Sequence, residues 1–460
     1  MPSLSRQLAG WVAGLRYEDL PPEVVDRAQG VTLHGLSSAL VSHSMPAAKQ
    51  ALALMQEEEA GGGGVATALV SGAKLTKAGA GFVNAEMILA GGKWDTFRML
   101  THPGSAILPA ALVATEIEHA TGKNFVVGIA AAYEVMERLA GDFIPAVMAR
   151  GFHASPVFGI FGAAVAAAKM HGLDAERIHD TIGQCVNLAA GNLEGGRSGG
   201  GRVREGTAVR NALLAVAIAK QGAPGGETVL EGEAGLYHAY TGNNLGKLAY
   251  SFTGQTSTDL DQITAGLGSD WRFLETLYRV YSTAGYNIAH VDVTARLCEE
   301  HDIRPENVER VEATVNWLET QYPSPAFPTR GGFGGGVAGS TQYFSAYGVV
   351  ERGFPLLKTG PGDDDPPEVL DLMKRVTLIP SHSHTLFGPS VTIFTKDGQS
   401  YTRHGTGREF IWDFEEEVRR IRGVEPGIPI LPAQYGQLID ACRRLDGLER
   451  AEELIRLTVP

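Results

Sequence analysis

A mainly helical protein with one smaller α+β segment is what this sequence of 460 residues predicts, on three observations. From Pro22 to about Lys220 apolar residues return at helical spacing and alanine and glycine dominate, so the segment reads as a body of closely packed helices. Near residue 265 the texture changes to short alternating runs bounded by turn residues. From Phe414 to Leu457 the pattern is helical again, with charges on one face.

Taken in order, the tetraglycine Gly61 to Gly64 followed by Val65 to Val70 reads as a loop entering a short strand or helix. Ile160 to Lys169 belongs to a long alanine-rich helix, since small side chains let neighbouring helices approach closely. Val308 to Val315 alternates like a strand, Arg375 to Pro380 does so weakly, and Val391 to Thr395 runs into the turn Lys396-Asp397-Gly398. Asp292 to Glu300 and Gln342 to Val350 read as helices between them. Together these predict an α+β unit over roughly residues 266 to 401.

Composition narrows the function classes. A formal charge of −13 lacks the basic field that nucleic-acid binding needs. No apolar run reaches the roughly 20 residues of a membrane helix, and Met1 to Arg6 lacks the pattern of a secretory signal, so a cytoplasmic protein is expected. The three cysteines, Cys185, Cys298 and Cys442, are far apart, which leaves no four-cysteine cluster and no thiolate zinc site. There is no H-E-x-x-H, and His382 with His384 alone is too small a metal set.

The chemistry concentrates in Asp95 to Gly104 and Arg150 to His153, where titratable side chains stand beside glycine or proline at the edges of helical runs. In His102-Pro103-Gly104 the proline restricts His102 to extended angles and the glycine lets a helix start close by, so the imidazole is aimed. His153 stands just ahead of the alanine-rich helix. Two such histidines can divide the removal and delivery of a proton, while Asp95 reads either as a helix cap or as a third acid–base group. Arg197, Arg202 and Arg204 lie in the glycine-rich segment Glu194 to Gly206, and guanidinium groups clamp carboxylates bidentately. Gly334 to Gly339 fits G-x-G-x-x-G without a strand and helix around it, which argues against nucleotide binding.

Several stretches in family order, Tyr17 to Val25, Leu108 to Ala111, Ala132 to Ala140 and Gly151-Phe152-His153 through Asp174, resemble the MmgE/PrpD family. The likeness runs on, less sharply, through Ser340 to Tyr343 to Asp397-Gly398. That family includes 2-methylcitrate dehydratase, cis-aconitate decarboxylase and iminodisuccinate epimerase. The resemblance implies a homodimer without a cofactor, and a helical domain over 1–265 plus 402–460 with residues 266–401 inserted as a lid. It also implies a small polycarboxylate as substrate, bound between the two domains. The first expectation is a lyase of the 2-methylcitrate dehydratase type, as in propionate catabolism; the alternatives are an epimerase of an amino-dicarboxylate and a cis-aconitate decarboxylase-like lyase. His102 is expected to be the acid, His153 the base and Asp95 a further catalytic residue. Arg202, Arg204, Arg279, Thr96 and Tyr322 are expected to bind the substrate, with Gln342 and Tyr343 also in the lid. Relatives more often carry lysine near Arg202 and at Arg279, and aspartate at the position of His34.

Overall fold

The computed structural model describes residues 2–198, 204–281, 283–327, 341–354 and 361–460. It is mainly helical with a small sheet. The helices that build the body are α1 (Pro22–Ser42), α2 (Lys77–Ala90), α3 (Pro103–Glu118), α4 (Gly122–Ala140), α5 (Ala154–Met170), α6 (Ala175–Leu188) and α7 (Glu205–Lys220). The alanine-rich α5 is buried along nearly its whole length and packs on α3, α4 and α7. Its glycines make that approach possible, because a Cβ on Gly162 would stand 2.7 Å from Ile107 Cγ1. The stretch after the tetraglycine forms a two-residue strand, β1 (Ala66–Thr67), paired with β2 (Lys74–Leu75).

Beyond the body, a four-stranded sheet has the order β4 (Val376–Ser381), β3 (Val308–Asn316), β5 (Ser390–Thr395), β6 (Ser400–His404). Strands β3 and β4 run parallel, and the crossover between them carries the helices α9 (Thr341–Glu351) and α10 (Pro367–Leu372). The hairpin β5–β6 turns at Gly398, whose φ of 86° is left-handed. Strand β6 escaped the sequence reading because it is a solvated edge strand with no buried residue to set up an alternation.

Two hydrophobic cores form among the described residues. The first gathers apolar residues from the N-terminus to Ala289 and from Phe410 to Ile455, with Leu318 and Phe387; the second gathers other apolar residues between Val291 and Ile393. Helix α8 (Gly285–Glu300) takes part in both, with Tyr286, Ile288 and Ala289 in the first and Val291, Val293 and Leu297 in the second. Trp271, Phe273, Leu277, Tyr278, Tyr286 and Ile288, beyond the boundary expected near 266, share the core of the body, with Trp271 against Trp11 and Phe273 against Tyr133. The tail helices α11 (Phe414–Ile421) and α12 (Pro432–Arg443) lie on α1. There His34 Nδ1 meets Glu417 Oε1 at 2.8 Å, both side chains fully buried, and Ser37 Oγ meets Tyr435 Oη at 2.9 Å. Burial opposes a charge on His34, but the Glu417 carboxylate outweighs it and raises the imidazole above its ordinary value. His34 is thus a buried tie between α1 and the tail.

Candidate active site

The segment from Asp95 to His102 is fixed at both ends. Thr96 and Leu277 exchange backbone hydrogen bonds of 2.9 Å, which lays the segment beside Arg279. Arg98 and Leu100 have positive φ, at 49° and 52°, unusual for residues with a Cβ and paid for by surrounding contacts such as Arg98 to Asp142 at 3.0 Å. His102 is the N-cap residue of α3 with Pro103 at the first helical position.

Both histidines are buried, and their mounts give them opposite tautomers. His102 Nδ1 lies 3.2 Å from the Asp95 carbonyl, an obligate acceptor, so Nδ1 carries the proton and Nε2 the lone pair. His153, the N-cap of α5, accepts the Ser155 N–H at Nδ1 over 3.3 Å, so its proton is on Nε2. Ser155 links the two, since its Oγ accepts the His102 backbone N–H at 3.1 Å. Burial and Arg279 hold His102 well below the usual histidine value; burial, Arg204 and His102 do the same to His153. Both are neutral at pH 7. In this arrangement the nitrogen left free on His102 is an acceptor and that on His153 a donor, where the sequence expectation has His102 as acid and His153 as base.

Asp95, expected as a further catalytic residue, is built into the mount of His102. Its carboxylate accepts the Gly104 N–H at 2.9 Å and the Tyr133 hydroxyl, so it caps α3 from outside the helix and fixes the carbonyl that orients His102. Gly104 is required there, since a Cβ would fall 2.7 Å from both Asp95 Oδ2 and Tyr133 Oη. Thr96 places its hydroxyl 3.3 Å from His102 Nδ1.

Thr96, His102, Arg279, Gly285, Tyr286 and Tyr322 line one narrow cavity. Arg279 is buried, donates to the Gly92 carbonyl at 3.0 Å and lies over the Trp94 ring at 4.9 Å, the same ring that packs on His102 at 4.7 Å. Burial lowers its pKa to about 10, which leaves it cationic at neutral pH. Arg204 Nε holds Glu205 Oε2 at 3.2 Å, and its charge reaches both histidines. Arg202 and the glycine motif from Gly334 to Gly339 lie outside the described residues. Tyr343 is in the second core, its hydroxyl bound to Asp365 at 3.0 Å, and packs rather than facing the cavity. Sequence reasoning missed Ser155, Trp94 and Tyr286; the first was readable as the Ser-Pro opening a helix directly behind His153, whereas nothing local marks the other two. Among the described residues no three His, Cys, Asp or Glu side chains converge as a metal site, and no helix is long and apolar enough to cross a membrane.

The model for the MmgE/PrpD N-terminal domain matches residues 6–248, which holds both histidines, Asp95 and Arg204. The chain belongs to the MmgE/PrpD family. Among the family's curated proteins, a cis-aconitate decarboxylase of Aspergillus terreus (strain NIH 2624 / FGSC A1156) is 26% identical over 438 residues, 87% of this chain and 84% of that protein. The cis-aconitate decarboxylase of Homo sapiens is 24% identical over 339 residues, 70% of this chain and 66% of that one, and that of Mus musculus 22% over 396 residues, 82% and 78%.

Proposed function

We propose that this MmgE/PrpD protein is a lyase acting on a small tricarboxylic acid, with decarboxylation of cis-aconitate as its first candidate reaction. The observation that carries the reading is the pair of neutral imidazoles of opposite tautomer joined through Ser155, one of them, His102, lining a cavity with the buried Arg279. Loss of carbon dioxide from cis-aconitate shifts the double bond and adds a proton to the carbon α to a retained carboxylate. Decarboxylation consumes one proton: His153 presents the N–H for that position and is reprotonated from solvent, while Arg279 and Arg204 stabilise the charge that develops on carboxylate oxygens. The lone pair on His102 Nε2 has a proton to remove only in a dehydration. An anionic substrate also offsets the arginine fields that depress the histidines, so its arrival raises their proton affinity. The names of the relatives favour carbon–carbon cleavage.

Dehydration of a 2-methylcitrate-like acid is the second reading, since an acceptor and a donor on one site also suit removal of an α-proton with departure of a hydroxyl. Thr96 and Tyr322 complete the substrate contacts in either case, and the unit around the second core serves as the lid. Incubation with cis-aconitate, 2-methylcitrate and amino-dicarboxylates in deuterated water, followed by NMR, separates the readings. Carbon dioxide release with one deuterium incorporated supports decarboxylation, an alkene with loss of water supports dehydration, and α-exchange with inversion alone would replace the lyase by an epimerase.

A further inference from the structure

One wall of the cavity is the first turn of α8, where Gly285 and Tyr286 face His102, Arg279 and Tyr322. The helix has 16 residues and no side-chain cap; the Asn287 N–H is taken by the Ala284 carbonyl, while Gly285 and Tyr286, at the positively charged start of the helix, line this space. Gly285 brings it close, since a Cβ there would stand 3.2 Å from Phe387 Cε1. Two side-chain donors on residues lining this cavity have no partner among the described residues: Tyr286 Oη, on a residue 2% exposed, and Arg279 Nε, on a residue 6% exposed. Native interiors rarely leave such donors unpaired, and several around one cavity call for an acceptor that arrives from outside. Burial raises the Tyr286 phenol well above its ordinary value, which keeps it a donor, and the Tyr322 ring, 5.6 Å away edge to face, holds it in place.

We infer that the first turn of α8, Tyr286 and Arg279 form a subsite for a carboxylate of the substrate that does not react, and that this subsite selects acids carrying an additional carboxylate. The inference deepens the lyase reading and rests on it for the identification of the ligand as a polycarboxylate. Two oxygens of a carboxylate can take the Tyr286 hydroxyl and an Arg279 N–H together while the helix terminus supplies further positive field, and the reacting end of the acid is then directed at His102.

Tyr286→Phe tests it, because the change deletes one oxygen and nothing else. The hydroxyl has no partner in the empty protein, so the melting temperature of the variant should equal or exceed that of the wild type, while calorimetric affinity for propane-1,2,3-tricarboxylate should fall about 10- to 100-fold. Arg279→Gln should weaken the same ligand. A wild type that turns over cis-aconitate, beside a Tyr286→Phe protein with unchanged affinity and KM, overturns the subsite and leaves the lyase standing. Tricarboxylate binding that depends on Tyr286 in a protein that cleaves no acid keeps the subsite and removes the lyase. Lack of binding at millimolar concentration in the wild type, or a lowered melting temperature in Tyr286→Phe, overturns the subsite as well.

Discussion

As the base of the proposed dehydration, the imidazole of His102 would act only while Nε2 is unprotonated, and burial with the charge of Arg279 keeps it so to lower pH than a free histidine. The acid limb of kcat/KM should therefore fall below pH 6.5, the usual histidine value, and a limb at or above that pH would remove His102 as the base. His102→Gln should keep the fold and lose about 10²–10⁴ in rate, the usual worth of a positioned acid–base group. The same depression has a cost in stability: as pH falls through the unfolded histidine value, the unfolded chain takes up protons that buried His102 and His153 refuse, so the protein should melt earlier at pH 5 than at pH 7. Both histidines were legible in the sequence because glycine and proline beside them reveal an aimed mount. A helix cap was one of the two sequence readings of Asp95, but its bond to Tyr133 was not legible, since that residue lies 38 positions further along the chain and reaches it only through helix packing.

Elements carry the next set of consequences. Tyr133 on α4 holds the carboxylate that caps α3, so Tyr133→Phe strips a buried carboxylate of a donor and should cost about 1–3 kcal/mol in chemical unfolding, with kcat falling more than KM rises because His102 loses its orientation. A Tyr133→Phe protein of unchanged stability and rate would leave the cap without importance. On the other side of the cavity, the turn Trp317–Gln321 holds Glu319, whose Oε1 accepts the Phe387 N–H at 2.9 Å and whose Oε2 stands 3.9 Å from His290 Nε2. Burial pushes Glu319 up to about 8. Its folded value exceeds its unfolded one, so it withdraws stability as pH rises from about 4.5 to 8, and Glu319→Gln, which mimics the protonated acid, should gain on the wild type across that window by on the order of a few kcal/mol. Parallel melts of the two proteins at pH 6 and pH 9 read this directly; a constant difference would mean the carboxyl is charged throughout. Strands β3 and β5 were legible from alternation because each buries one face, whereas the exposed edge β6 left no such trace.

At the scale of the whole molecule, the tail completes the body. Removing residues 413–460 strands buried His34 without Glu417 and Ser37 without Tyr435, and exposes the apolar surface of α1 and α4. Buried polar groups left without partners cost about 1–3 kcal/mol each, and the apolar surface is lost from the core as well, so the truncated chain should lack a cooperative melt and bind a hydrophobic dye. A normal melt would show the tail to be an accessory. The helical body and the chemistry of its helix starts could be read from periodicity and from glycine and proline; the border between the two cores could not, because it falls inside a continuous helical pattern where nothing in the sequence interrupts α8. That shared helix acts as a beam of about 24 Å whose near end forms the cavity wall and whose far end is clamped in the second core. A tilt of that beam about Ala289 to Val291 would move the cavity wall together with the second core, so amide hydrogen exchange at those residues should track substrate entry and packing changes as remote as Cys298 should alter the rate at which the site admits and releases its ligands; exchange unchanged by ligand would leave the helix a fixed wall.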